Sequence, residues 1–139
     1  MESILKEVLL DHVKSPKNLG GLENPTFSAN SNNPVCGDVV KIDLQIANDR
    51  IEAVGTSGQG CAISQASMSI FSEEIKKDTV SNVEKKIKEF KKLFDVDNSD
   101  ALMLLSEESK LLKFLENNPS KVRCAMLSWL AVEDELSKN

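Results

Sequence analysis

Val40-Lys41-Ile42-Asp43-Leu44-Gln45-Ile46 alternates apolar and polar residues at every step. A period of two puts Val40, Ile42, Leu44 and Ile46 on one face, the mark of a half-buried β-strand. Asn48-Asp49 follows as a turn pair, and residues 51–56 read as a returning strand. The unit is a β-hairpin. Just upstream, Asn24, Pro25, Asn30, Asn32, Asn33 and Pro34 crowd residues 22–34. Such residues disfavour regular pairing, so an irregular segment is expected, with one short strand near Thr26-Phe27-Ser28.

The flanks are helical in pattern. Leu5, Val8, Leu9 and Val13 recur at helical spacing until Ser15-Pro16 and Gly20-Gly21 break the run. Gly58-Gln59-Gly60 reads as a glycine-rich turn, and Ala62, Ala66, Ile70, Phe71 and Ile75 then mark a helix. Ser81-Asn82-Val83-Glu84 has the form of a capping box, heading a helix that buries Val83, Ile87, Phe90 and Phe94. Two short helices are expected over residues 101–105 and 110–115, and Pro119-Ser120 opens a last helix. Met126, Leu127, Trp129 and Leu130 are expected in the core. The fold class is α+β: one domain over residues 1–139, a small antiparallel sheet early and helices late.

Composition narrows the function classes. With 139 residues, a net charge of −5 and a pI near 5.0, the chain lacks the basic excess that nucleic-acid binding requires. No apolar run reaches the roughly 20 residues of a membrane helix. Met1-Glu2-Ser3-Ile4 has no secretory character. The odd count of 3 cysteines argues against a disulfide framework and for a reducing, cytoplasmic setting.

The cysteines sit in three unlike contexts: Pro34-Val35-Cys36-Gly37-Asp38, Gly58-Gln59-Gly60-Cys61-Ala62 and Val122-Arg123-Cys124-Ala125. Three thiolates and the Asp38 carboxylate make a set sufficient for one tetrahedral metal. Strand alternation would point Cys36 and Asp38 to one face. Cys61 and Cys124 lie near helix starts, where the dipole would lower a thiol pKa. Soft ligands favour Zn²⁺ or iron in a cluster. Their summed negative charge calls for nearby cations, and Arg123 and Lys121 adjoin Cys124. A metal-held thiolate is a blunted nucleophile, so the site is either inert and structural or opened by a partner. The plainer readings are small buried cysteines, Asp38 as a turn cap and His12, the single histidine, as a surface or capping residue. Glu84-Lys85-Lys86 with Lys88, Lys91 and Lys92 reads as a solvated helix face.

Taken together, the segments resemble the iron–sulfur cluster assembly family related to the IscU scaffold and NifU. Asp11-His12-Val13-Lys14-Ser15-Pro16-Lys17-Asn18-Leu19-Gly20 is similar to the family's opening motif. Asn33-Pro34-Val35-Cys36-Gly37-Asp38 and Gly58-Gln59-Gly60-Cys61-Ala62-Ile63-Ser64-Gln65-Ala66-Ser67 are similar to its two ligand loops. The resemblance covers nearly the whole chain and implies a three-stranded antiparallel sheet with helices packed on it. Where the IscU type has a histidine before the last cysteine, this chain has Arg123, which is similar to the SufU type. That type implies zinc held by Cys36, Asp38, Cys61 and Cys124. It also implies sulfur received from a pyridoxal-phosphate cysteine desulfurase, whose own histidine replaces one cysteine at the zinc. Cys36 is then the acceptor, and iron–sulfur scaffold proteins are further partners. The alternative is a scaffold that assembles a [2Fe–2S] cluster on the same residues. Leu130 stands where family members often carry another histidine.

Overall fold

The computed structural model describes residues 2–95 and 104–138. Its centre is an antiparallel sheet in the order β1 (Phe27–Asn33), β2 (Asp38–Ala47), β3 (Arg50–Gln59). The β2–β3 connection is the two-residue Asn48-Asp49, with φ of 54° and 59°. Positive φ at both positions matches the strand twist, as in a type I′ hairpin. Inward-facing Val40, Ile42 and Leu44 are fully buried, as their alternation requires. Asp43 departs from the expected polar, solvated face: it is 3% exposed. It accepts hydrogen bonds from Leu22 N (3.0 Å) and Ser28 Oγ (2.6 Å), so it anchors the incoming loop to the sheet's other side.

Two strand expectations are corrected. The asparagine-rich segment is a full strand, paired with β2 from Phe27↔Leu44 to Asn33↔Asp38. Ladder pairing and packing under the last helix override the weak intrinsic preference of asparagine. Gly58 and Gln59, read as a turn, extend β3, because a Cβ at Gly58 would overlap the backbone of β2 at Val39 and only glycine permits that approach. The outer edge of β3 is covered where Gly20 N donates to Thr56 O and Thr56 N to Asn18 O, both at 2.8 Å.

Among the described residues, five helices follow or precede the sheet: α1 (Glu2–Lys14), α2 (Ala62–Ile75), α3 (Val80–Lys92), α4 (Glu107–Leu111) and α5 (Pro119–Ser137), with a 3₁₀ turn at Leu112–Leu115. The helix expected over 101–105 falls outside the described residues at 101–103. Helix α2 is buried almost all round, packed by α1, α5 and β3. Trp129 of α5 stacks on Phe90 of α3 (ring centroids 3.8 Å) and against Phe71 of α2 (4.3 Å). Leu130, expected in the core, is 39% exposed one residue further round the helix. The α3 cap is Thr79, whose side chain accepts from Asn82 N, not Ser81 as the box pattern suggested. Among the described residues no helix is long and apolar enough to cross a membrane.

Two polar residues are far more buried than expected. His12 continues the inward stripe of α1 after Leu5, Val8 and Leu9 and is 4% exposed. Its Nδ1 pairs with Ser69 Oγ (2.6 Å) and its Nε2 with Glu108 Oε1 (2.9 Å), joining α1 to α2 and α4. Lys86 is no solvated lysine: its side chain is 14% exposed and bridges Glu74 (3.2 Å) and Asp78 (2.8 Å). Burial opposes its charge, but the two carboxylates outweigh that and raise its pKa. Glu74 also accepts from Ser106 N and Ser109 Oγ, so the triad ties α4 to α2. Lys86→Met would leave Glu74 buried without its cation. The expected loss is about 2 kcal/mol, discounted for the part-solvated partners, or roughly 4–8 °C in Tm by calorimetry. Metal uptake should be unchanged, because the triad lies apart from the cysteines.

Candidate metal centre

The centre forms where three element ends meet. The β1–β2 connection is Pro34-Val35-Cys36-Gly37, closed by Cys36 N donating to Asn33 O at 3.2 Å. Gly37 has φ of 70°, a turn conformation that carries Cys36 back over the sheet end. Cys36 and Asp38 therefore converge through a turn; Cys36 precedes the strand, so alternation is not the cause. Asp38, the first residue of β2, is fully buried. Its Oδ1 accepts from Cys61 N at 2.7 Å. A buried carboxylate needs such partners to offset lost hydration.

Cys61 is the N-cap of α2, and its sulfur accepts from Ser64 N at 3.4 Å. Cys124 lies in the second turn of α5 and is 4% exposed. Its place is fixed by its neighbours: Ser67 Oγ donates to Ala125 O (2.6 Å) and accepts from Trp129 Nε1 (3.1 Å). These bonds pin the register of α5 on α2, a link the sequence did not disclose.

Ligand atoms of Cys36, Asp38 and Cys124 all lie within 4.8 Å of one another. Cys36 Sγ and Cys124 Sγ are 3.9 Å apart. Cys61, the fourth expected ligand, falls outside this mutually close group of three; its Sγ lies 3.6 Å from Asp38 Oδ2. Sulfurs bonded at about 2.3 Å to one tetrahedral ion stand about 3.8 Å apart, and a sulfur and a carboxylate oxygen about 3.6 Å. The spacings and the soft donor set fit a zinc-sized ion. Burial raises the Cys124 thiol pKa, and the adjacent Asp38, Cys61 and Cys36 raise it further. The direction is opposite to that expected near a helix start, with desolvation the largest cause and the hydrogen-bonding neighbours adding to it.

Asn33 was not singled out from the sequence as a site residue. Its Nδ2 lies 3.8 Å from Cys124 Sγ. Of the two expected cations, Arg123 lines a groove of about 290 Å³ with Asn33, Pro34, Met126, Leu127 and Leu130. Lys121 instead lines a separate depression with Leu5, Lys6 and Phe114. His12 is no ligand here, since both ring nitrogens are engaged by Ser69 and Glu108.

The family description "NifU-like N terminal domain" matches residues 4–138. The chain belongs to the NifU-like N-terminal domain family. One relative, the zinc-dependent sulfurtransferase SufU of Bacillus subtilis (strain 168), is 30% identical over 99% of this chain and 92% of its own length. Another, the iron–sulfur cluster assembly scaffold protein IscU of Thermotoga maritima, is 30% identical over 95% of this chain and 92% of its own length. In the solved structures, a candidate iron–sulfur cluster assembly scaffold for the SUF system from Fervidobacterium islandicum AW-1 superposes with a TM-score of 0.81. It is 28% identical and covers 92% of this chain and 93% of its own. The NifU-like fold thus carries both SufU and IscU names among this chain's relatives.

Proposed function

We propose that residues 1–139 act as one zinc-binding sulfur acceptor. It takes persulfide sulfur from a pyridoxal-phosphate cysteine desulfurase and passes it toward iron–sulfur cluster biogenesis, in a reducing cytoplasm. The observation that carries this is the convergence of an exposed cysteine, a buried carboxylate and a buried cysteine, with ligand atoms all within 4.8 Å of one another. Cys36, Asp38, Cys61 and Cys124 form the ligand set. When bound, Zn²⁺ keeps the thiols deprotonated and lowers their nucleophilicity.

Cys36 is the acceptor. It is exposed, and it sits on a turn flanked by Val35, itself 87% exposed, so a partner can reach it. Its thiolate attacks the outer sulfur of the partner's persulfide. A sulfur–sulfur bond forms at Cys36, the partner's breaks, and the electron pair leaves on the partner's cysteine. Arg123, beside Asn33 and Pro34, offsets the negative charge of the set.

The scaffold alternative draws support from the IscU name of the Thermotoga relative. Against it, the single histidine of the chain is locked at the α1–α2–α4 junction. Elemental analysis of the purified protein should find close to one zinc per chain. Adding that protein should stimulate a cysteine desulfurase. A metal-free protein that stimulates fully would refute the zinc reading. A stable, transferable cluster after anaerobic reconstitution, without stimulation, would favour the scaffold.

A further inference from the structure

We propose that Asn33 is a positioning residue that sorts the two facing thiolates, holding Cys124 as the fixed ligand and leaving Cys36 as the exchangeable one. This rests on the zinc-site reading above. Asn33 ends β1 directly opposite Asp38, on the same inward-facing row as Ala29, which is fully buried. Its side chain thus projects toward α5.

Three links leave this one residue. Its main-chain O accepts from Cys36 N at 3.2 Å, and its Oδ1 accepts from Val35 N at 3.2 Å. Its Nδ2 then faces Cys124 Sγ at 3.8 Å. The Val35 N–H can meet only the oxygen, so the network fixes which end of the amide faces the sulfur. Aspartate has the same length without a donor. Glutamine is one methylene longer, and serine has only one polar atom.

An N–H donor withdraws electron density from a sulfur, which stabilises it as an anion and blunts its attack. Cys124 has that donor and is buried. Cys36 is exposed, and among the described residues the only side chain bonded to its sulfur is Cys124. The same amide therefore tethers the Cys36 loop by its oxygen and quiets Cys124 by its nitrogen.

The test compares Asn33→Asp, which keeps the acceptor for Val35 N–H but deletes the donor, with Asn33→Ala, which deletes both. Full-length protein is loaded with zinc, or with Co²⁺ as a spectroscopic probe. Both variants should release metal to a chelator roughly 10-fold faster, at the lower end for a group that orients a ligand. In both, the sulfur-to-cobalt charge-transfer band should move to lower energy. Timed alkylation read by mass spectrometry should show Cys124 gaining label relative to Cys36. An Asn33→Asp protein with an unmoved band and unchanged release would overturn the proposal, whatever Asn33→Ala does, because the turn alone would then explain the residue. Unsubstituted protein that holds neither metal would end this inference and the zinc reading together. Metal bound normally with Asn33→Asp inert ends this inference alone.

Discussion

Cys36→Ala is expected to cut sulfur acceptance by roughly 100-fold or more, the scale on which loss of a nucleophile is felt. The fold should survive, since Cys36 is exposed on a four-residue connection outside the core and surface truncations rarely exceed about 0.5 kcal/mol. Cys124→Ala should behave differently. Both substitutions remove a metal ligand, but Cys124→Ala also removes a buried group beside the Ser67–Ala125–Trp129 network, so the stability of the fold falls as well. Two measurements on each variant separate the roles: thermal unfolding, and mass-spectrometric detection of added sulfur after incubation with a desulfurase and free cysteine. Cys36→Ala with near-normal Tm and no added sulfur supports the assignment. If that variant still carries one extra sulfur on Cys61 or Cys124 at the normal rate, Cys36 is not the acceptor.

The hairpin was legible because its signal is local: period-two alternation and a turn pair lie within a dozen residues or so. β1 was not, because its asparagines gain their strand geometry from β2 and α5, which a local pattern cannot see. His12 was misjudged for a related reason. It occupies the fourth place of a helical stripe, and its burial depends on Ser69 and Glu108, 57 and 96 residues away. The cysteines and Asp38 could be named as metal-binding types from their motifs. The approach of Cys36, Asp38 and Cys124, with Cys61 beside Asp38, could not be derived from spacing, since it requires the Gly37 turn, the α2 cap and the register of α5 at once. Lys121 and Arg123 show the limit plainly: neighbours of Cys124 in sequence, they face different depressions on the helix.

The register of β2 on β3 sets up a second large effect, at Gly60. This glycine follows β3, has φ of 137°, and sits beside Asp38. A Cβ there would overlap Asp38 Oδ1 and lie 2.7 Å from Asp38 Cα. Oδ1 is the atom that accepts from Cys61 N, so the methyl group would displace the carboxylate and break the bond that carries Cys61 to the site. The backbone cannot relax easily, because Val39↔Gln59 pairs the adjoining residues. Gly60→Ala should therefore weaken zinc binding by roughly 100-fold, the upper end for loss of a group that orients a ligand. Stability should fall by about 2–3 kcal/mol from backbone strain plus overlap. Gly20→Ala is the matched control: φ is 106°, and its Cβ would meet nothing within 4 Å. It suffers the positive-φ strain of about 1 kcal/mol without touching Asp38, so its zinc affinity should stay near normal. Chelator competition on both proteins decides the matter. Equal zinc affinity in the two variants would mean that the place of Asp38 beside Gly60 has no bearing on the metal.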